Sequence, residues 1–382
     1  SDDFAKDILN KLDLHGQLGY LGGLSPAEQK QEVMESEDLM SFLMKLSDSD
    51  GFLSRFENVV YGCINSKIEY KRFFLFFLLF DQRNLPYVPL SYVSILFGRI
   101  AKDLLNHTSD IYRTYRNLGY RIRGSMLGKR LLKMVTKEML IEEIEQIARI
   151  ISPQVSEYDK NYSKNILETL IKPKELYRQF AFNKAQQNLY REMLYRLKPY
   201  YEKISYYWVQ LGLSEQLAGD FDRALTHFHH AESIRPHSYS VLHAIARNYI
   251  RRANRLPFKK RDHAKQLFET GEANMLSLIQ EQEYEQNIPY SIHTYIWEKI
   301  DFCRKFRFIP TTEELRYMKT LCEDLESKDV EEVSEPVKRH FYKYLNFIGR
   351  IDILGSISLQ NLGLLVQEKT SRSVFPDDPE DD

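Results

Sequence analysis

A mainly α fold follows from three observations in the 382-residue sequence. Apolar residues recur at three- and four-residue spacing over long segments, glycine (16) and proline (13) are sparse, and hardly any alternating stretch is flanked by turn residues. Composition narrows the class. A hydrophobic share of 43% can bury the cores of two or three domains. With 53 basic and 54 acidic residues the net charge is −1, so no global imbalance points to nucleic acid or an acidic membrane, and any such patch must be local. Cys63, Cys303 and Cys322 are odd in number and widely spaced, which offers no zinc-ligand pairing and fits a reducing, cytoplasmic compartment.

The elements follow in chain order. Ser1 to Lys6 enters an amphipathic helix with neither an initiator Met nor a signal-peptide pattern, so the chain is expected to be a piece of a longer protein. Ser25-Pro-Ala-Glu28 is a capping box with Pro at the first helical position and predicts a helix start near 26. Phe73 to Phe80 (FFLFFLLF) is the longest apolar run; it falls far short of the roughly 20 residues a membrane span needs and predicts a buried helix. A turn at Leu85-Pro-Tyr-Val-Pro89 and a helix from Leu90 to about Asn106 come next. Tyr112-Arg-Thr-Tyr-Arg and Tyr120-Arg-Ile-Arg, split by Asn117-Leu-Gly119, then form a candidate β-hairpin. Helices followed by a small hairpin read as a winged-helix-like block, 1–153. From 154 to 374 the sequence is helix after helix, with a second capping box, Thr311-Thr-Glu-Glu314, that sets a start near 312. The tail 375–382, with two prolines and five acids, is expected to be disordered.

Between Trp208 and Pro236 lies a pattern of large and small residues at defined offsets: Trp208, Leu211, Gly212, Gly219, Ala224, Phe228, Ala231, Pro236. It resembles a tetratricopeptide repeat, a 34-residue helix-turn-helix unit. The resemblance implies small residues where the helices touch, a turn at Gly219, Phe228 between the helices and a stop at Pro236. Glu215 departs from it, since the family prefers an aromatic there. A looser second unit has Leu242, Ala246 and Tyr249 on its first helix and Ala264, Phe268 and Gly271 on its second. Its turn, Leu256 to Asp262, carries about six extra residues, which loops tolerate. Stacked repeats need about three units, so helices before Tyr200 and after Ile288 are expected to complete the α-solenoid.

The HFHH run, His227 to His230, invites a metal reading. At 100° per residue His229 points about 200° from His227, so three ligands cannot converge, and no cysteine or carboxylate stands at a suitable spacing. No metal or other cofactor is expected. Gly124-Ser-Met-Leu-Gly-Lys129-Arg approaches a phosphate loop but has three residues between its glycines and Arg130 where a Mg²⁺-binding hydroxyl belongs. HExxH, GxSxG, CxxC and GxGxxG are absent, and Glu142, Glu143 and Glu145 read as a solvated helix face, so no catalytic residues are expected. Arg113 to Lys133 holds seven Arg or Lys and no acid. Such a stretch beside a wing suits either DNA phosphates or an internal acidic partner, with nucleic acid the less favoured of the two.

In order, Leu18-Gly-Tyr-Leu-Gly-Gly-Leu-Ser-Pro-Ala-Glu28, the block containing Val88-Pro-Leu-Ser-Tyr-Val-Ser-Ile-Leu-Phe97, and the tetratricopeptide-like helices resemble the C-terminal part of STAND NTPases. Those are signal-transduction ATPases in which an effector and a nucleotide-binding domain precede a helical lid, a winged helix and a repeat-built sensor, and bacterial members act in anti-phage defence. The resemblance implies a non-catalytic sensor fragment that binds a protein ligand and controls the parent's self-association. Arg121 to Leu127 lacks the histidine with which many members sense nucleotide. A stand-alone tetratricopeptide scaffold and a DNA-binding winged-helix regulator remain as alternatives.

The concave groove such repeats present is lined by the first helix of each unit. Candidate ligand-binding residues are Tyr206 and Gln216 in the first unit, the latter beyond Val209 and Leu213, and Ser240, His243, Arg247 and Arg251 in the second, a polar stripe at three- and four-residue spacing. A protein or peptide segment with hydrophobic anchors and acidic or phosphate groups would suit it. The competing reading is an internal contact with the acidic region Glu323 to Glu335.

Overall fold

A computed structural model describes residues 2–14, 21, 23–35, 61–62, 65, 67–81, 88–107, 112–115, 119–122, 135–159, 161–172, 184–281, 288–327 and 331–354. These are mainly α-helical, and they divide into two units, Ser1–Ser214 and Glu215–Asp382. The boundary expected near 153 lies within the first unit, where Ser152–Gln154 is a single 3₁₀ turn between two helices.

The first unit begins with α1 (Asp2–Leu14) and α2 (Pro26–Met34). The capping box closes as its sequence requires: the Ser25 backbone N–H donates to Glu28 Oε2 at 2.9 Å, and the Glu28 N–H to Ser25 Oγ at 3.4 Å. α3 (Ile68–Asp81) carries the apolar run, and every residue from Phe73 to Phe80 is at most 2% exposed. A helix apolar on all sides must be enclosed on all sides. Phe97 meets Phe73 and Phe76 edge-on, with ring centroids 5.0 and 5.6 Å away.

β1 (Val88–Pro89) occupies the end of the expected turn. The long helix expected from Leu90 is instead two, α4 (Leu90–Phe97) and α5 (Ala101–His107), parted by a 3₁₀ turn. The break is at Gly98, whose φ of +57° is open to glycine and strained for other residues. The hairpin expected at 112–123 is present as β2 (Tyr112–Tyr115) and β3 (Gly119–Ile122), antiparallel with Tyr112 opposite Ile122 and Tyr115 opposite Gly119. β1 pairs antiparallel with the other edge of β3, giving the order β1-β3-β2.

α6 (Lys137–Ile151), α7 (Tyr162–Leu170), α8 (Lys184–Tyr201) and α9 (Ser205–Leu217) follow. Tyrosine hydroxyls tie them together: Tyr190 donates to the Ile171 carbonyl and Tyr201 to that of Leu167, both at 2.9 Å, and Tyr207 to that of Leu194 at 2.8 Å. Glu143 on α6 is not on a solvated face. It is 2% exposed and accepts from Arg72 Nε of α3 at 3.1 Å, because α3 covers that side of α6. Glu142 is exposed and Glu145 half-buried, as solvated positions should be.

The second unit, after the last residues of α9, contains α10 (Phe221–Ile234), α11 (Tyr239–Arg255), α12 (Arg261–Glu281), α13 (Ile288–Phe306), α14 (Thr312–Ser327) and α15 (Glu331–Phe347). Gly219 turns the chain with φ +88°, and Asp220 caps α10 by accepting from the Arg223 N–H at 3.0 Å. Thr311 and Glu314 form the second capping box, with the Thr311 N–H donating at 2.6 Å and the Glu314 N–H at 3.2 Å. α11 and α12 are an antiparallel hairpin drawn close by Gly271, where an added Cβ would lie 2.7 Å from Ile250 Cγ1 and 2.8 Å from the Ala246 carbonyl oxygen. α11, α13 and α15 pack side by side, while α12 bridges α11 and α13 and α14 bridges α13 and α15. One apolar core runs through them from Ala246 to Leu354, including the buried thiols Cys303 and Cys322.

Among the described residues no helix is long and apolar enough to cross a membrane. Cys63, Gly124–Arg130 and the tail 375–382 lie outside the described residues, as do most of Leu18–Gly23 and the side chains of Arg113–Lys133 other than Tyr120.

Candidate ligand-binding face on the second unit

The stripe Ser240, His243, Arg247, Arg251 lies along one side of α11, but its members meet different surroundings. Ser240 is exposed and 3.2 Å from Ser238 Oγ. His243 and Arg247 are half-buried beside α13, and Arg251 Nε donates to Glu298 Oε1 of α13 at 3.0 Å. Arg251 thus has an internal partner, Glu298, which lies outside the acidic region Glu323 to Glu335 that the internal reading named. In the acidic region Glu323 pairs with Lys319 at 3.5 Å and Glu335 with Lys338 at 3.4 Å.

The remaining two candidates, Gln216 and Tyr206, have surroundings of their own. Gln216 is 5% exposed and donates to Asn248 Oδ1 at 3.0 Å, while Asn248 Nδ2 donates to the Phe221 carbonyl at 2.9 Å. It clamps the Gly219 turn onto α11. Tyr206 belongs to the first unit and is half-buried; burial pushes its hydroxyl up to about 12, with the charge of Glu168 adding to the effect.

Neighbours from later helices complete the face. Tyr239 stacks on His243, with centroids 6.0 Å apart and planes 10° apart. On α13, His293 stacks on Trp297 at 5.4 Å, and Trp297 on His340 of α15 at 4.1 Å with planes 9° apart. His340 Nε2 is 3.6 Å from Asp301 Oδ1, beyond hydrogen-bond reach. Glu298 is the carboxylate nearest the cations and both its oxygens are engaged: Oε1 accepts from Arg251, and Oε2 from Asn254 Nδ2 at 2.7 Å.

On this face three buried nitrogens have no hydrogen-bond partner among the described residues: Arg247 Nε and His243 Nε2 on α11 and His340 Nε2 on α15. Their electrostatics agree. Burial, then the charges of Arg247 and Arg251, hold the His243 imidazole down to about 4, neutral at physiological pH. Burial and Arg251 lower the Arg247 guanidinium to about 10, with Glu298 opposing; it keeps its charge at neutral pH. His293 is also held below its ordinary value by burial, then by Arg247, with His340 adding to the lowering and Glu298 resisting it.

The HFHH run behaves as a helix surface. His229 lies 3.2 Å from Glu232 through Nδ1, His230 is exposed, and Phe228, between His227 and His229, is fully buried. Among the described residues no group of three His, Cys, Asp or Glu side chains is placed to hold a metal ion. Glu215, where the repeat family prefers an aromatic, is fully buried and 3.8 Å from Arg223 Nη1.

Compared with protein-family models, curated proteins and solved structures, the chain matches none.

Proposed function

We propose that this chain is a sensor and regulatory module that captures a protein ligand on the α11–α13 face, and that it belongs to a STAND-type NTPase acting in cytoplasmic anti-phage defence. The observation that carries the ligand-binding part is the half-buried Arg247, which has no carboxylate partner among the described residues although the adjacent Arg251 has one. Folding alone favours compensating such a charge or replacing it with an apolar residue, so retaining it bare favours a role outside the chain.

Two features of the fold support the wider reading. In the first unit the order helix, strand, two helices, two strands, with the sheet order β1-β3-β2, is what a winged helix requires. In the second, hairpins stacked so that α11, α13 and α15 share one side suit a tetratricopeptide-like solenoid, with Phe228, Ala231, Ala264, Phe268 and Gly271 buried as the repeat resemblance implies. The reading assigns the chain no chemistry of its own; nucleotide hydrolysis would reside in a domain upstream.

The test is Arg247→Glu in the full-length protein. Ligand-dependent output should fall at least tenfold while the melting curve stays put, since reversal of an interface charge desolvated on binding costs about 2–5 kcal/mol. Undiminished output would remove the face from the mechanism. Sequence upstream of Ser1 without a phosphate-binding loop would remove the STAND assignment but leave the face intact.

A further inference from the structure

We infer that Arg247, His243 and His293 form a proton-coupled seat for an oxyanion, a phosphate or carboxylate group carried by the ligand. The inference rests on reading this face as ligand-binding and names the chemistry the face selects.

A buried donor without an acceptor costs about 1–3 kcal/mol, and folded proteins leave few of them. Arg247 Nε is such a donor, and one helical turn away on α11 His243 Nε2 is a second buried nitrogen without a partner. The acceptor that would satisfy them within the chain is Glu298, and its two oxygens are already held by Arg251 and Asn254. Water could fill one hydrogen bond but could not offset the charge. The missing partner is therefore anionic, and the forked geometry of a guanidinium matches two oxygens of one group.

The proton coupling follows from the imidazoles. The charged groups facing them are Arg247, Arg251 and Glu298, with His340 beside His293, so one carboxylate stands against two guanidiniums. Both imidazoles are held neutral by burial and by that excess positive charge. An anion seated on Arg247 offsets that excess positive charge at each ring and favours its protonation. By linkage, protonation must then favour the anion equally, and affinity rises as pH falls from neutrality.

The test uses sulfate, whose charge does not change over the range, and succinate as the carboxylate probe, its affinity referred at each pH to the share that is fully ionised. Ring resonances of His243 and His293 are followed by NMR at pH 5.5 and 7.5 in the intact chain, at constant ionic strength made up with chloride. The expected result is a saturable shift of both rings with sulfate, succinate or both, the exposed His229 unmoved, and affinity tighter at the lower pH by about tenfold, a typical coupling between sites. The tighter probe identifies the ligand's group. Arg247→Met should weaken binding by about tenfold or more, the scale of one hydrogen bond to a charged group. His243→Gln should keep binding and flatten its pH dependence. Absence of a saturable shift with either anion, equal affinity at the two pH values, or undiminished binding by Arg247→Met would overturn the seat. Because no protein partner is used, these outcomes are independent of whether Arg247→Glu abolishes ligand-dependent output.

Discussion

α13 has a buried or half-buried cation on each of two sides, and they are treated in opposite ways. Lys299, toward α12 and α14, is 4% exposed; its Nζ donates to Glu272 and, at 2.6 Å, to Glu314, while Tyr295 Oη donates to Glu272 at 3.1 Å. Burial disfavours its ammonium, yet the two carboxylates outweigh that and hold it above its ordinary value. Arg247, on α11 beside His293 and Glu298 of α13, sits below its ordinary value with Nε bare. The first arrangement is complete within the chain and joins three helices. The second is left open, and an open buried charge costs stability unless something outside completes it.

Mutations sharpen this contrast, and an uncharged contact sets the scale. Phe228→Ala removes a fully buried ring from α10 and should cost about 3–5 kcal/mol. A melting temperature unchanged within about a degree would mean that Phe228 does not fill a packed interface, since 1 kcal/mol moves such domains by a few degrees. Lys299→Met leaves Glu272 and Glu314 facing each other; with the Glu314 side chain 39% exposed, the loss should be about 2–4 kcal/mol, under the full cost of breaking a buried pair. A urea midpoint equal to wild type would show that node to be dispensable.

The pH dependence of stability should differ in sign between two buried groups. His243 is depressed to about 4 when folded, so its contribution is present above its ordinary value of 6.5 and is lost as pH falls between 6.5 and 4. Glu143 is raised by burial to about 7 against the pull of Arg72, so its contribution is present below 4.5 and is lost as pH rises from 4.5 to 7. Relative to wild type, His243→Gln should therefore gain stability on going from pH 7 to pH 5. Glu143→Gln should gain on going from pH 5 to pH 8. Urea unfolding at those pH values checks both, and parallel curves for variant and wild type would refute the corresponding assignment.

What could be seen in the sequence was local. Both capping boxes, the buried apolar helix, the paired strands 112–115 and 119–122 and the glycine turn at 219 depend on residues a few positions apart, and each is found where expected. The α11 stripe was legible for the same reason. Its surroundings were not. Glu298 lies 47 positions from Arg251, and His293, Trp297 and His340 come from helices beyond 285 that no local pattern ties to α11. Glu143 was misread as solvated because its burial is imposed by α3, 71 residues earlier. Gly98 carried a usable signal, a glycine inside an apolar helical pattern, and it marks the break between α4 and α5.

The most direct test of the claim that Arg247 serves something beyond the fold is the unfolding free energy of Arg247→Met in anion-free buffer. Removing a bare half-buried charge while keeping the apolar stem should leave stability unchanged or raise it by about 1 kcal/mol. A loss of about 2 kcal/mol or more, comparable to that of Lys299→Met, would show that Arg247 is compensated within the chain and is part of what holds it together.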